Sequence, residues 1–147
     1  MSPADREAAA DIYRLACLYA RAMDRNEPEL LNQVMTDDML LQGPGMRIAG
    51  LNDQKKSPPL LREMFLMTQH LVHNQTLAFN GDEAVGETYC TATHIRRPDD
   101  KGQHVALTWA VRYQDRYVRH SDGWRIAARE LIVDWTEEKP VKLGVSY

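Results

Sequence analysis

The sequence predicts an α+β protein, with three helices ahead of a curved, mostly antiparallel sheet. Three observations carry this. Apolar residues recur with a helical period up to about residue 67, one strand pair apart, and with a period of two from residue 70 onward. Three turn signals, Asn80-Gly81-Asp82, Pro98 to Gly102 and Ser121-Asp122-Gly123, divide the second half into four long strand candidates. No stretch of linker composition separates the halves, so residues 1–147 read as a single domain.

Ser2-Pro3 opens the first helix, with Ser as N-cap, Pro in the first turn and Asp5 and Glu7 near the positive helix end. The helix runs to about Arg25. At 100° per residue, Arg14, Arg21 and Arg25 share one arc, and Ile12, Leu15, Ala16, Tyr19, Ala20 and Met23 share the opposite one. Pro28 starts a short second helix through Val34, and residues 36–50 read as a strand pair around Gln42-Gly43-Pro44-Gly45. Ser57-Pro58 opens the third helix, which carries Leu60, Leu61, Met64, Phe65 and Met67. The strand candidates are 70–79, 83–96, 104–120 and 124–135, followed by a polar tail from Glu137 to Tyr147.

Composition narrows the function. The chain has 147 residues, 44% hydrophobic and 27% charged, with a net charge of −3, so no basic stripe for nucleic acid is expected. No run approaches the length that spans a bilayer, and the N-terminus lacks a secretory pattern. Cys17 and Cys90 lie in apolar-patterned segments and read as buried free thiols of a cytoplasmic protein. There is no Walker-type loop, GxGxxG, GxSxG or cysteine-protease signature.

Several residues carry possible chemistry. Asp24 lies above Ala20, Cys17 and Tyr13, on the flank of the apolar arc, where a carboxylate is either desolvated and partnered or wet at a frayed helix end. His70 opens a strand directly after a helix. Alternation places His70, Val72 and Asn74 on one face and Leu71, His73 and Leu77 on the other. His70 and His73 therefore diverge, which argues against a shared metal, and no metal or organic cofactor is expected. Tyr19, His94 and Arg129 complete the set. Each also has an ordinary reading: a core aromatic, a rim histidine, and an arginine paired across the sheet with an acid such as Glu87.

The runs from Tyr19 through Asp24 to Arg25, Thr68-Gln69-His70-Leu71-Val72-His73-Asn74, and Tyr117 through Trp124 to Arg129 resemble the SnoaL-like branch of the nuclear-transport-factor-2-like superfamily. The resemblance spans residues 5–136 and implies a cone-shaped α+β barrel with the helices packed on the curved sheet. It also implies an Asp–His pair, with Asp24 at the end of the first helix and His70 at the start of the strand after the third. Tyr19 resembles the tyrosine of bile-acid 7α-dehydratases, His94 the second histidine of scytalone dehydratase, and Arg129 the arginine of the dehydrochlorinases.

The implied activity is a cofactor-independent lyase of the dehydratase type. Its substrate would be small, hydrophobic and cyclic or aromatic. Asp24 would orient His70, His70 would take a proton from carbon, and Tyr19, His94 or Arg129 would assist the departing oxygen. His73, Asn74, Trp109 and Met67 are the further candidates for substrate contact. Alternatives on the same scaffold are an isomerase, a cyclase, a carbon–carbon lyase, or a non-catalytic module like a dioxygenase β subunit. A homo-oligomer, dimer or trimer, is expected because the outer face of such a sheet is long and partly apolar.

Overall fold

In the computed structural model, which describes residues 1–145, helix α1 spans Pro3–Asp24 and is followed by a 3-10 helix, Pro28–Gln33. A strand pair comes next, β1 Met35–Gly43 and β2 Met46–Ala49, then α2 Leu51–Gln54 and α3 Ser57–Met64. Four long strands close the chain: β3 Met67–Asn80, β4 Glu83–Ile95, β5 His104–His120 and β6 Gly123–Val141. The six strands form one mixed sheet in the order β2-β1-β6-β5-β4-β3, open at both edges. All neighbours run antiparallel except β1 and β6, which are parallel.

The start of α1 is locally determined. The Ser2 hydroxyl accepts from the Asp5 N–H, and the Asp5 carboxylate accepts from the Ser2 N–H. This reciprocal capping box satisfies two otherwise orphaned groups and is worth about 1 kcal/mol. The end of α1 turns at Asn26, which takes φ of 52°, a left-handed conformation that asparagine tolerates better than most residues. The apolar arc of α1 lies over the sheet. Ile12, Leu15, Tyr19 and Met23 share a core with Cys90, Ala92, Val111, Tyr113, Tyr117, Trp124 and Ile126. The face of the sheet carrying these residues is the helix-covered face; the other is open.

Several expectations change, among them the third helix, which ends at Met64 and leaves Phe65 outside it and Met67 in β3. The second helix is a 3-10 helix, and a short α2 not foreseen from the sequence precedes α3. The segment from Glu137, expected as a tail, continues β6 to Val141, pairing Glu137, Glu138, Lys139, Pro140 and Val141 with β5 residues 104–108. Ladder hydrogen bonds hold this extension, so its polar residues face solvent without disrupting it. Ser146 and Tyr147 lie outside the described residues. In β3 a bulge between Val72 and Gln75 breaks the strict alternation. Val72 stands opposite Cys90 and Gln75 opposite Thr88, so His73 and Asn74 of β3 face the single residue Tyr89 of β4. Leu77 thereby joins the face of His70 and packs on the core, whereas plain alternation placed it on the other side.

Candidate active site

Asp24 is the last residue of α1, where the helix dipole disfavours a negative charge. Hydrogen bonds from β3 compensate. Its Oδ1 accepts from His70 Nδ1 at 2.6 Å and from Thr68 Oγ1 at 2.9 Å, and its Oδ2 accepts from the His70 N–H at 2.8 Å. The main-chain oxygen of Asp24 takes a further bond from Arg62 Nη2 of α3, at 3.1 Å. The two side chains are 19% and 7% exposed, so Asp24 is not at a frayed, wet end. An ionised carboxylate only accepts, so His70 is protonated at Nδ1. Its Nε2 has no hydrogen-bond partner among the described residues.

His94, on β4, stands opposite Leu107 of β5 and diagonal to His70, with the two ring centres 6.3 Å apart. Its Nδ1 donates to the Leu107 carbonyl oxygen at 3.1 Å. A carbonyl cannot donate, so this nitrogen is protonated and Nε2 holds the lone pair when the ring is neutral. Burial lowers the pKa of His94, the nearby His70 also depresses it, and the bond to Leu107 and the Asp24 charge only partly oppose this. His94 is therefore neutral at neutral pH and offers an acceptor rather than a proton. Phe65, just after α3, and Trp109 on β5 flank it at 4.8 and 5.1 Å between ring centres. Asp24, Thr68, His70, His94, Phe65 and Trp109 form one polar group with an aromatic wall.

Tyr19 and Arg129 belong to a second, deeper cluster. Arg129 makes a bidentate pair with Asp115, both bonds 2.8 Å, and both side chains are fully buried. Tyr117 donates to the same carboxylate at 2.8 Å. The guanidinium lies 3.8 Å from the centre of the Tyr113 ring and 4.5 Å from that of Tyr19. Burial opposes the charge on Arg129, but the Asp115 carboxylate outweighs it and raises the pKa. Burial likewise raises the Tyr19 pKa, although Arg129 pulls against it, and pushes the Cys90 thiol up to about 11. The acid paired with Arg129 is thus Asp115 and not Glu87. Glu87 pairs across the ladder with Gln114 on the open face, where it bonds Arg112 at 3.3 Å. Arg129 stands opposite Asp115 on the covered face.

The other candidates are not brought to this place. His73 Nε2 shares a 2.7 Å hydrogen bond with Thr91 Oγ1. Thr91 lies between inward-facing Cys90 and Ala92, so the bond sits on the open face. Asn74 is an exposed residue of the β3 bulge. Met67 lines an outer cavity of about 260 Å³ with Gln69, Thr93, Ile95 and Leu143. Thr68, Phe65 and Asp115 were not singled out in the sequence. Thr68 could have been, since it precedes His70 by two and so shares its face. Beside the dyad, Tyr13, Cys17, Ala20, Arg21, Asp24, His70, Leu71 and Val72 line an open depression of about 350 Å³. Among the described residues, no group of three or more His, Cys, Asp or Glu side chains is arranged to hold a metal ion.

Helices packed on a six-stranded mixed sheet with this strand order match the nuclear-transport-factor-2-like fold. Residues 4–130 match the family model described as a SnoaL-like domain, and the chain belongs to that family. Among solved structures it is similar to the Kfla4162 protein of Kribbella flavida, at 22% identity over 90% of this chain and 95% of that one, TM-score 0.81. It is also similar to a candidate scytalone dehydratase of Novosphingobium aromaticivorans, at 22% identity over 100% of both chains, TM-score 0.81. A third is a hexachlorocyclohexane dehydrochlorinase, LinA type 3, of Novosphingobium barchaimii, at 16% identity over 98% and 94%, TM-score 0.71. No curated protein matches this chain in sequence.

Proposed function

We propose that this protein is a cofactor-independent lyase that eliminates water from a small, hydrophobic, cyclic or aromatic substrate. The observation that carries this reading is the Asp24–His70 pair, bonded at 2.6 Å, with the far nitrogen of His70 left free beside His94. The family and its dehydratase and dehydrochlorinase neighbours support the same class of reaction.

In this reading His70 Nε2 takes a proton from a carbon adjacent to a carbonyl. Asp24 holds the Nδ1–H and stabilises the imidazolium that forms. The electron pair of the broken C–H bond forms a C=C bond, the C–O bond breaks, and the departing hydroxide takes the proton back from the imidazolium, so that water leaves. A buried, neutral His94 suits accepting a hydrogen bond from a substrate hydroxyl better than donating a proton. Trp109 and Phe65 supply the apolar wall. Tyr19 and Arg129 act from the deeper cluster, by holding the core under the site.

A second reading, a non-catalytic binding or assembly module, draws on one observation. Tyr19, Tyr113, Tyr117 and Trp124 fill the core beneath the helices, each at most 5% exposed. The deciding experiment supplies a cyclic β-hydroxy ketone in D2O and follows alkene formation and deuterium entry at the carbon next to the carbonyl by NMR. Wild type is expected to catalyse one or both, and His70→Ala neither. Turnover that survives in His70→Ala rejects the assignment.

We also place the protein in the cytoplasm, since Cys17 and Cys90 are unpaired thiols, Cys90 buried as expected and Cys17 exposed where burial was expected, as one SnoaL-like domain that assembles into a homo-oligomer. No helix among the described residues is long and apolar enough to cross a membrane.

A further inference from the structure

We infer that Thr68 is a positioning residue of this site: its hydroxyl locks the Asp24 carboxylate in the orientation that fixes the tautomer of His70. The inference rests on the reading of His70 as the base.

A carboxylate on a short side chain can rotate about its last torsion, and an imidazole bonded to only one of its oxygens rotates with it. Three donors prevent this here. The His70 N–H holds Oδ2 at 2.8 Å, while Thr68 Oγ1 at 2.9 Å and His70 Nδ1 at 2.6 Å converge on Oδ1. The main-chain donor cannot be varied, and the imidazole is the group being positioned. Among the described residues, Thr68 is therefore the one side chain that holds the carboxylate independently of His70. Its placement is itself fixed. Thr68 is buried, sits two residues before His70 on the same face of β3, and stands directly opposite His94 in the β3–β4 ladder. Its β-branched side chain has few rotamers in a strand, and a carboxylate oxygen can only accept, so the hydroxyl proton points at Asp24.

Without that hydroxyl, Oδ1 is held only through the imidazole. The carboxylate gains freedom to turn, the Nδ1–H bond lengthens on average, and the competing tautomer with the proton on Nε2 becomes populated. That tautomer has no lone pair on Nε2 and cannot act as a base.

The test uses the full chain labelled with 15N in its histidines. In wild type, His70 is expected as the Nδ1–H tautomer, with a far-downfield Nδ1 proton. In Thr68→Val, which keeps the shape and removes the hydroxyl, that proton should move upfield and the Nε2–H tautomer should become visible. Thr68→Ser should restore the wild-type spectrum. Thr68→Ala, which needs no packing of an extra methyl, should behave as Thr68→Val and decides the matter if the valine variant fails to fold. With a nitrobenzisoxazole as an aromatic carbon-acid probe, the base takes the ring C–H proton, the N–O bond breaks and a nitrile-bearing phenolate is released. Its kcat should fall about tenfold in Thr68→Val, the scale of one hydrogen bond to a charged group, with KM nearly unchanged. A His70 spectrum unchanged in both Thr68→Val and Thr68→Ala overturns the inference. If wild type fails to open the probe while the spectra change as expected, the catalytic reading is in error and the positioning role stands.

Discussion

At the scale of single residues, the two histidines differ in what their surroundings allow. Removing the His70 ring leaves Asp24 with the Thr68 hydroxyl and a main-chain N–H as donors, so the carboxylate is not stranded. His70→Ala should abolish turnover while a thermal melt shifts by only a few degrees. Asp24→Asn should keep the shape and lose most of the rate, because an amide can fix the wrong imidazole tautomer. His94 makes a pH prediction. Its folded pKa is lowered from 6.5, chiefly by burial, so between the unfolded and folded values the unfolded chain binds the extra proton. Stability is then full above 6.5 and is lost as pH falls through the folded pKa. Urea unfolding from pH 7.5 downward should show this, with a shallower dependence in His94→Gln. Asp115 is the reverse case, a charge whose partner cannot escape. Asp115→Asn leaves Arg129 buried beside a neutral group, and should lower the unfolding free energy by about 3–5 kcal/mol. The helical wheel made Asp24 legible, because position 24 stacks over 20, 17 and 13 whatever the tertiary fold. The Arg129–Asp115 pair was not legible, because it depends on which residues of β5 and β6 stand opposite each other, and the bulges in that ladder shift this locally.

At the scale of elements, the turns were legible and the long-range pairing was not. Asn80-Gly81-Asp82 and Ser121-Asp122-Gly123 each join two antiparallel strands, with Gly81 at φ of 61° and Gly123 at 126°, values only glycine adopts freely. Parallel pairing of β1 with β6 joins segments at opposite ends of the sequence, and neither carries a mark of its partner. The far end of β6 was missed for another reason: residues 136–139 are all polar and exposed and Pro140 follows them, so they lack the alternation by which half-buried strands are recognised. Gly86 in β4 exposes a packing constraint invisible in its local sequence. A Cβ there would lie 2.5 Å from Leu77 Cδ2, 2.7 Å from the Thr76 main-chain oxygen and 3.3 Å from Tyr117 Cε2. The leucine could turn aside, but the strand oxygen cannot. Gly86→Ala should therefore destabilise the fold by about 1–3 kcal/mol, read as a lower urea midpoint, although alanine normally favours a strand over glycine.

At the scale of the whole molecule, the sheet has helices on one face only, and the other face sets the question of assembly. Reading across the ladders, Leu71, Thr91, Ala110 and Trp135 stand in one row over four strands, and Tyr89, Arg112 and Ile132 in the next. Trp135 is 58% exposed and Leu71 48%, an uncommon placement for side chains of this size in a monomer. The charges among them are already matched: Arg112 forms hydrogen bonds to both Asp134 and Glu87. Such a face has little long-range pull on a charged partner, yet it has an apolar row that water covers at a cost. Packing it against a second copy would remove that row from water, and a stable interface needs about 800 Å² from each partner, well within the 8515 Å² that the chain exposes. Light scattering at micromolar concentration should therefore give a mass that is a multiple of 16.9 kDa. Trp135→Asp should shift it toward the monomer, since a carboxylate at the centre of a dry interface would have no partner. The substitution lies on the face away from Asp24 and His70, so the monomer should keep the His70 imidazole signals of the wild type. A wild-type mass of one chain at that concentration would reject the assembly.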